Sequence, residues 1–388
     1  MTNRFRHPRR GPRRRLAQAG FSLVELMIAM TLSLLVLLAM IALLININRT
    51  NRELDRHHSQ IENGRFVIQV LQGELAEAGY WGGFVPQFED LTLTAAPTDV
   101  PDALPDVCAS YLATTWTAAY QKRLLAIPVQ VFADVPDGCA DVVKDKVPQS
   151  DVLVVRRVAS CVAGDPGCDP DTPGNLFFQV ADCATEVRAV PPTPYALGTA
   201  TVTLHRKDCT TPAAKRRFLS HLYYVRNYAQ TSGDGIPTLV RSELQRSPSG
   251  DVVVLPAVVL VEGVDTMLFE LGIDRLSDAG TVVDYTQPIA WADATTQISP
   301  TNRGDGVADG APVRCTSAVP CTVDQLMNVV AVKLHVLARS STTTPGYRDT
   351  KTYQLGSTRL GPFNDGFQRH VLSTSARLTN IAGRRETP

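Results

Sequence analysis

The sequence has 388 residues with 38 Lys+Arg against 38 Asp+Glu, so its formal net charge is zero. That balance argues against bulk nucleic-acid binding, which draws on a basic surplus to release counterions. With 44% hydrophobic and 20% charged residues the chain is not wholly disordered, and its length suits two or three cores or one anchored domain with insertions.

Charge is unevenly placed. Residues 1–20 carry seven arginines and neither Asp nor Glu. Phe21 to Ile45 follows, twenty-five residues whose only charge is Glu25. As a helix this stretch would reach roughly 37 Å, enough to span a bilayer. Beyond Asn46 the charges are mixed, so the arginine asymmetry places the N-terminus in the cytoplasm and the bulk of the chain outside it. An ordinary secretory signal would be cut after its apolar stretch at small residues; Ile41 to Thr50 offers no such site, and the span is expected to stay attached. On hydropathy alone a plain signal anchor with a basic tail fits equally.

Helical character continues beyond the span. No Gly or Pro interrupts Phe21 to Ile61, and Ile61, Phe66, Val67, Val70, Leu71 and Leu75 then keep a three-to-four spacing. The pattern predicts one helix of about fifty residues, weakened by Gly64 and Gly73 and stopped by Gly79, Gly82, Gly83 and Pro86, with its apolar stripe packed on a sheet. Seven prolines between 86 and 150 predict loops with short strands. Clearer strands follow at Asp151–Val158, Leu222–Tyr228, Met267–Ile273, around Val330–Val336, and more loosely at Val371–Leu378. In the third, Met267, Phe269, Leu271 and Ile273 share one face and Glu270 takes the other; in the fourth, Val330, Val332, Leu334 and Val336 oppose Lys333 and His335. Gly233-Asp234-Gly235, Ser249-Gly250-Asp251 and Asn364-Asp365-Gly366 mark turns between such runs.

All eight cysteines lie after the span, and an even count there fits disulfides in an oxidising compartment such as a periplasm. Spacing suggests the local pairs Cys161 with Cys168 and Cys315 with Cys321. Cys108, Cys139, Cys183 and Cys209 remain, and the connectivity stays open. A zinc site is the weaker reading, because no Cys-x-x-Cys occurs. Catalytic and nucleotide motifs such as H-E-x-x-H, G-x-S-x-G and G-x-x-x-x-G-K are missing. His205, His221, His335 and His370 have no metal partners nearby in sequence and read as strand or surface residues, and His57-His58 as a solvated helix face. Asp305 and Asp309 faintly suggest a calcium loop but lack its spacing and terminal Glu, so a polar turn is the better reading.

The junction Gly20-Phe21-Ser22-Leu23-Val24-Glu25-Leu26 joins a basic leader, a glycine, an aromatic residue opening an apolar helix, and a lone carboxylate one turn in. In this it resembles the class III signal of type IV pilins and type II secretion pseudopilins. The resemblance implies cleavage after Gly20 by a prepilin peptidase and methylation of the new Phe21 amine. It also implies that Glu25, costly in an apolar setting without a partner, pairs with the Phe21 amine of a neighbouring subunit. The segments DVLVVRR, YYVRNY, GIPTLVR, LVEGVDTMLFELGID, VVAVKLHVLARS and NDGFQRHVLSTSARLTNI are similar to the PilW family of minor pilins. The implied fold class is α+β and pilin-like: a long N-terminal transmembrane helix followed by a mainly antiparallel β-sheet domain, in one sheet or two. Its implied parts are a removed leader at 1–20, a transmembrane stretch at 21–45, a periplasmic amphipathic stretch at 46–80, and a disulfide-bearing β-rich domain at 81–388.

Such a chain would be a minor pilin of the bacterial inner membrane, with a cytoplasmic N-terminus. It would prime type IV pilus assembly, remain at the tip and support piliation and twitching. Its implied partners are the prepilin peptidase, other minor pilins, the major pilin and a tip adhesin; no cofactor, turnover or nucleic acid is expected. A pseudopilin at the tip of a type II secretion pseudopilus is the alternative, and a membrane-anchored periplasmic enzyme a third class. Two departures from major pilins stand out: no proline occurs between Phe21 and Val85, and the globular part is much larger. Cleavage after Gly20 would leave 31 Lys+Arg against 38 Asp+Glu, a formal charge of −7.

Overall fold

The computed structural model of the protein describes Gly20 and residues 22–190, 192–199 and 203–386. Phe21 and the seven leader arginines lie outside the described residues. The chain divides after Asp55 into two units. Helix α1, Leu23–Glu77, supplies the described helical residues of the first and opens the second. It is long and apolar enough, by length and composition, to cross a membrane. Every large apolar side chain from Leu23 to Ile47 is exposed.

In the second unit α1 is followed by a 3-10 turn at Gln87–Glu89, α2 (Ala118–Ala126), β1 (Val129–Phe132), β2 (Val152–Val158) and β3 (Phe177–Val180). Then come α3 (Ala184–Val187), β4 (Tyr195–Gly198), β5 (Lys215–Arg226), β6 (Thr238–Arg246), β7 (Val252–Val254), β8 (Val258–Glu262) and β9 (Val264–Ile273). The last part holds β10 (Trp291–Asp293), β11 (Ile298–Pro300), α4 (Val323–Met327), β12 (Val329–Arg339), β13 (Tyr353–Leu355), β14 (Thr358–Leu360), β15 (Arg369–Arg377) and α5 (Thr379–Arg385). The larger sheet is built on β5, which pairs antiparallel with β2, β3 and β6; β1 extends it beyond β2, β4 beyond β3, and β7 and β8 beyond β6. A second antiparallel sheet has the order β15-β12-β9, and β10–β11 and β13–β14 form separate hairpins. The architecture is α+β with more than one sheet.

The apolar stripe of α1 does lie on sheet. Val67, Leu71, Leu75 and Ala78 share one core with Leu153 and Val155 of β2, Tyr223 and Val225 of β5, Met267, Phe269 and Leu271 of β9, and Val332, Leu334 and Val336 of β12. Gly64 allows close approach: a Cβ there would come within 2.4 Å of Leu372 Cδ1 on β15. The helix ends before Gly79, whose φ of 71° suits glycine and whose N–H turns outward to Arg156 O at 3.0 Å. A second core gathers Trp81, Trp116, Leu124, Leu125, Phe178 and Phe218. Trp81 stacks on Phe218 at 6.0 Å and donates its indole N–H to Leu125 O at 3.1 Å.

Two local expectations need revising, and a third holds with an addition. Within the proline-rich stretch, α2 forms because Thr117 caps it, accepting from Tyr120 N at 3.3 Å, and because Leu124 and Leu125 enter the tryptophan core. β5 starts at Lys215 rather than Leu222, since Lys215, Arg216 and Arg217 pair with β3. Glu270 and His335 do sit opposite the apolar face of the second sheet, but that face is covered too. The β13–β14 hairpin lies over it, Ser357 N donates to Glu270 Oε1 at 2.6 Å, and both Glu270 and His335 are buried.

Candidate functional site

The first unit presents the N-terminal motif. Ser22 opens α1: its Oγ accepts from Val24 N at 3.3 Å, and its own N–H donates to Glu25 Oε2 at 3.0 Å. The two contacts satisfy the N–H groups of Val24 and Ser22, and the second is one half of a capping box. Glu25 is exposed, on a turn where a carboxylate also meets the positive end of the helix dipole. Gly20 is described and has open space around it, with nothing within 4 Å of a Cβ placed there. The structure thus brings Ser22 and Glu25 together; Phe21 lies outside the described residues.

The second unit presents a seat for α1 from Arg56 onward. Gln60 donates from Nε2 to Ala338 O at 2.8 Å and Gln368 O at 2.9 Å, Asn63 to Glu262 O at 3.0 Å, and Gln72 to Thr374 Oγ1 at 2.8 Å. These contacts hold both flanks of the buried stripe. Further along, Glu74 and Glu77 enter an ion-pair cluster. Arg157 reaches Glu74 at 3.2 Å and Glu77 at 2.6 Å, and His221 Nδ1 meets Glu74 Oε2 at 2.8 Å. Burial would raise Glu74, but His221 and Arg157 outweigh it and hold the carboxyl down at about 2.

Two more charged groups tie distant segments together. Arg369 on β15 meets Asp265 and Asp365 at 2.7 Å each and Asp349 at 2.9 Å, with its guanidinium over the Phe363 ring at 3.8 Å. Arg385 on α5 reaches Glu89 at 3.3 Å, Asp274 at 3.2 Å and Asn328 Oδ1 at 3.0 Å. Sequence reasoning missed both clusters, and periodicity carries no signal of them.

The eight cysteines form four disulfides: Cys108–Cys139, Cys161–Cys168, Cys183–Cys209 and Cys315–Cys321. Each closes a loop within the β-rich part, where prolines and turns leave few ladder bonds to hold the chain. Asp305 and Asp309 serve turns: Asp309 Oδ2 accepts from Arg275 N and Leu276 N at 2.8 Å each, and Asp305 Oδ1 from Val307 N at 2.9 Å. His205 pairs with Glu186 at 2.7 Å, while His221 on β5 and His335 on β12 are the strand residues expected, with buried side chains. Among the described residues no three His, Cys, Asp or Glu side chains converge as a metal set. A cleft of about 380 Å³ is lined by Phe84, Leu125, Tyr195, Lys122 and Asp99. The Asp99 carboxyl there already accepts the N–H groups of Gln87 and Phe88, and burial raises its pKa.

Comparison with known proteins fits these parts. Residues 15–41 match the prokaryotic N-terminal methylation motif, and residues 222–380 match the family Type IV Pilus-assembly protein W. The second match runs from the middle of β5 into α5 and takes in most of the segments that resemble PilW in sequence. A type IV-like pilin from Thermus thermophilus is similar over 83% of this chain and 97% of its own, at 12% identity and a TM-score of 0.30. No curated protein matches the sequence.

Proposed function

From a chain that carries both the N-terminal methylation motif and the Type IV pilus-assembly protein W region, we propose a minor pilin that primes type IV pilus assembly and sits at the pilus tip. In this reading a prepilin peptidase removes residues 1–20 after Gly20 and the Phe21 amine is methylated. Residues 21–45 hold the subunit in the inner membrane with its N-terminus in the cytoplasm, 46–80 lead on into the periplasm with α1 ending at Glu77, and 81–388 form the exposed disulfide-bearing domain. Other minor pilins and the major pilin bind through α1, and a tip adhesin is carried above. The matched family and the α+β fold are those of pilin structural proteins, and no catalytic role is proposed.

The observation that carries the proposal is the joining of two matches on one chain, an N-terminal processing signal and a distant pilus-assembly region. The unbroken α1 and the bulk of the β-rich part support placement at an end of the filament, where bulk above a subunit meets no neighbour. Within the filament, Glu25 would exchange its contact with the Ser22 N–H for the amine of an adjacent subunit. A deletion strain is expected to lose surface pili and twitching and to regain both with the gene supplied in trans. Loss of protein secretion with normal piliation would instead identify a secretion pseudopilin and overturn the proposal.

A further inference from the structure

His221 is the centre of an ion cluster that the pilin reading does not use. Its ring is buried, with a side-chain exposure of 6%, between carboxylates from two different elements. Nδ1 lies 2.8 Å from Glu74 Oε2 on α1, and Nε2 lies 3.7 Å from Glu243 Oε2 on β6. The charged groups packed around this pair come from every adjoining element. From α1 come Glu74 and Glu77, and from β2 Arg157. β5 supplies Arg217, which binds Glu243 at 2.5 Å and Asp169 at 3.2 Å, and β6 supplies Arg241 at 3.6 Å from Glu243. The Tyr223 hydroxyl is 3.5 Å from Nδ1.

The geometry around the ring favours its charged form. Each nitrogen of the buried imidazole faces a largely buried carboxylate, Nδ1 facing Glu74 and Nε2 facing Glu243, and a cation so placed is stabilised by both. A neutral imidazole can donate from one nitrogen only, and so would leave one of its two flanking carboxylates without a proton from this ring. We propose that protonated His221 is a clasp between α1 and the larger sheet, so that the seating of the helix is proton-dependent and loosens as the pH rises.

The sign follows from the groups involved. Burial alone would lower the pKa of His221, but Glu243 and Glu74 outweigh it and raise it. Glu74 and Glu243 are both shifted down against the opposing effect of burial. A histidine raised on folding contributes stability that is fully present below its unfolded pKa of about 6.5 and is lost as pH rises through the higher folded value. The depressed carboxylates contribute above their unfolded pKa of about 4.3 and lose it only in more acid solution. The clasp is therefore tightest across mildly acid pH and weakens on the alkaline side, where a neutral ring can hold only one of the two carboxylates.

The test uses the full chain in detergent micelles, followed by amide hydrogen exchange across Gly64–Glu77 from pH 5 to 10, corrected for the intrinsic pH dependence of exchange. The parent is expected to lose protection there by about tenfold or more across the alkaline limb, in step with deprotonation of His221 read by imidazole NMR. Each factor of about ten by which the seated helix raises the proton affinity of the ring is lost from the seating equilibrium once that proton leaves. His221→Gln, which cannot carry the charge, should show low and pH-independent protection in this segment, with the Met267–Leu271 amides of β9 unchanged. Glu243→Gln should move the parent transition to lower pH. If parent and His221→Gln show the same pH profile, or if His221 is neutral at pH 6, the clasp is refuted. If a variant unfolds globally, the titration of His221 in the parent still decides, because protection that is flat through that titration also refutes it. The outcome is independent of whether the chain assembles into pili, so failure here is distinguishable from failure of the proposed function.

Discussion

A chain carrying Glu25→Gln is expected to be made, inserted and cleaved like the parent, yet to enter filaments poorly. Among the described residues the carboxylate touches the Ser22 N–H, a local contact at an exposed helix start. An amide oxygen can take over that contact, so α1 should form as before. In the proposed assembly the same carboxylate faces the positive amine of an adjacent subunit inside a packed apolar bundle. Removing one member of such a buried pair typically costs about 3 to 5 kcal/mol, because the other charge is left unpaired. At about 1.4 kcal/mol per tenfold, this is roughly 10² to 4 × 10³ in the equilibrium for joining the complex. Counting surface pili, and detecting the variant in sheared pilus fractions, checks the result. Wild-type piliation with full incorporation of Glu25→Gln would remove the pairing role.

Arg369→Met is expected to be the most damaging single substitution in the β-rich part. The guanidinium is 2% exposed in its side chain and spans Asp265, Asp349 and Asp365, which belong to β9, to the segment before β13 and to the turn before β15. Asp349 is fully buried in its side chain. Without Arg369 it keeps hydrogen bonds from Tyr353 and Tyr347 but, among the described residues, no cation at salt-bridge distance, while Asp265 retains Arg339 at 3.7 Å. A buried carboxylate left unpaired costs roughly 3 to 5 kcal/mol. Denaturant unfolding of the full chain in micelles should show that loss. The double variant Arg369→Met/Asp349→Asn should recover a large part of it, since the residues are in contact and their effects are not additive. A change below about 1 kcal/mol for the single variant would mean that the cluster contributes no more than a surface ion pair.

How much of the molecule is legible in its sequence depends on the range of the interaction. α1 announces itself because its cause is local: a long run without Gly or Pro, then an apolar repeat whose members Val67, Leu71 and Leu75 are the ones buried. β9 and β12 are legible for the same reason, since Met267, Phe269 and Leu271 alternate as a strand face must. β5 is half hidden, because Lys215, Arg216 and Arg217 look like a solvated stretch until Asp171, Asp169 and Glu243 are placed beside Lys215 and Arg217. The clusters of His221, Arg369 and Arg385 leave no trace in periodicity. His221 and Glu74 are 147 residues apart, and Arg385 and Glu89 are 296 apart. A buried charge reads as a surface charge until its partner arrives by folding. The N-terminal motif is legible as a pattern, whereas the capping contact between Ser22 and Glu25 follows from backbone geometry that the pattern alone does not specify.

Mass spectrometry of the mature N-terminus tests the central claim most directly. The chain purified from membranes of a strain with an active prepilin peptidase should begin at Phe21, carry one added methyl group on its amine, and lack all seven leader arginines. A mature protein that still begins at Met1, or one cut anywhere other than between Gly20 and Phe21, would contradict it.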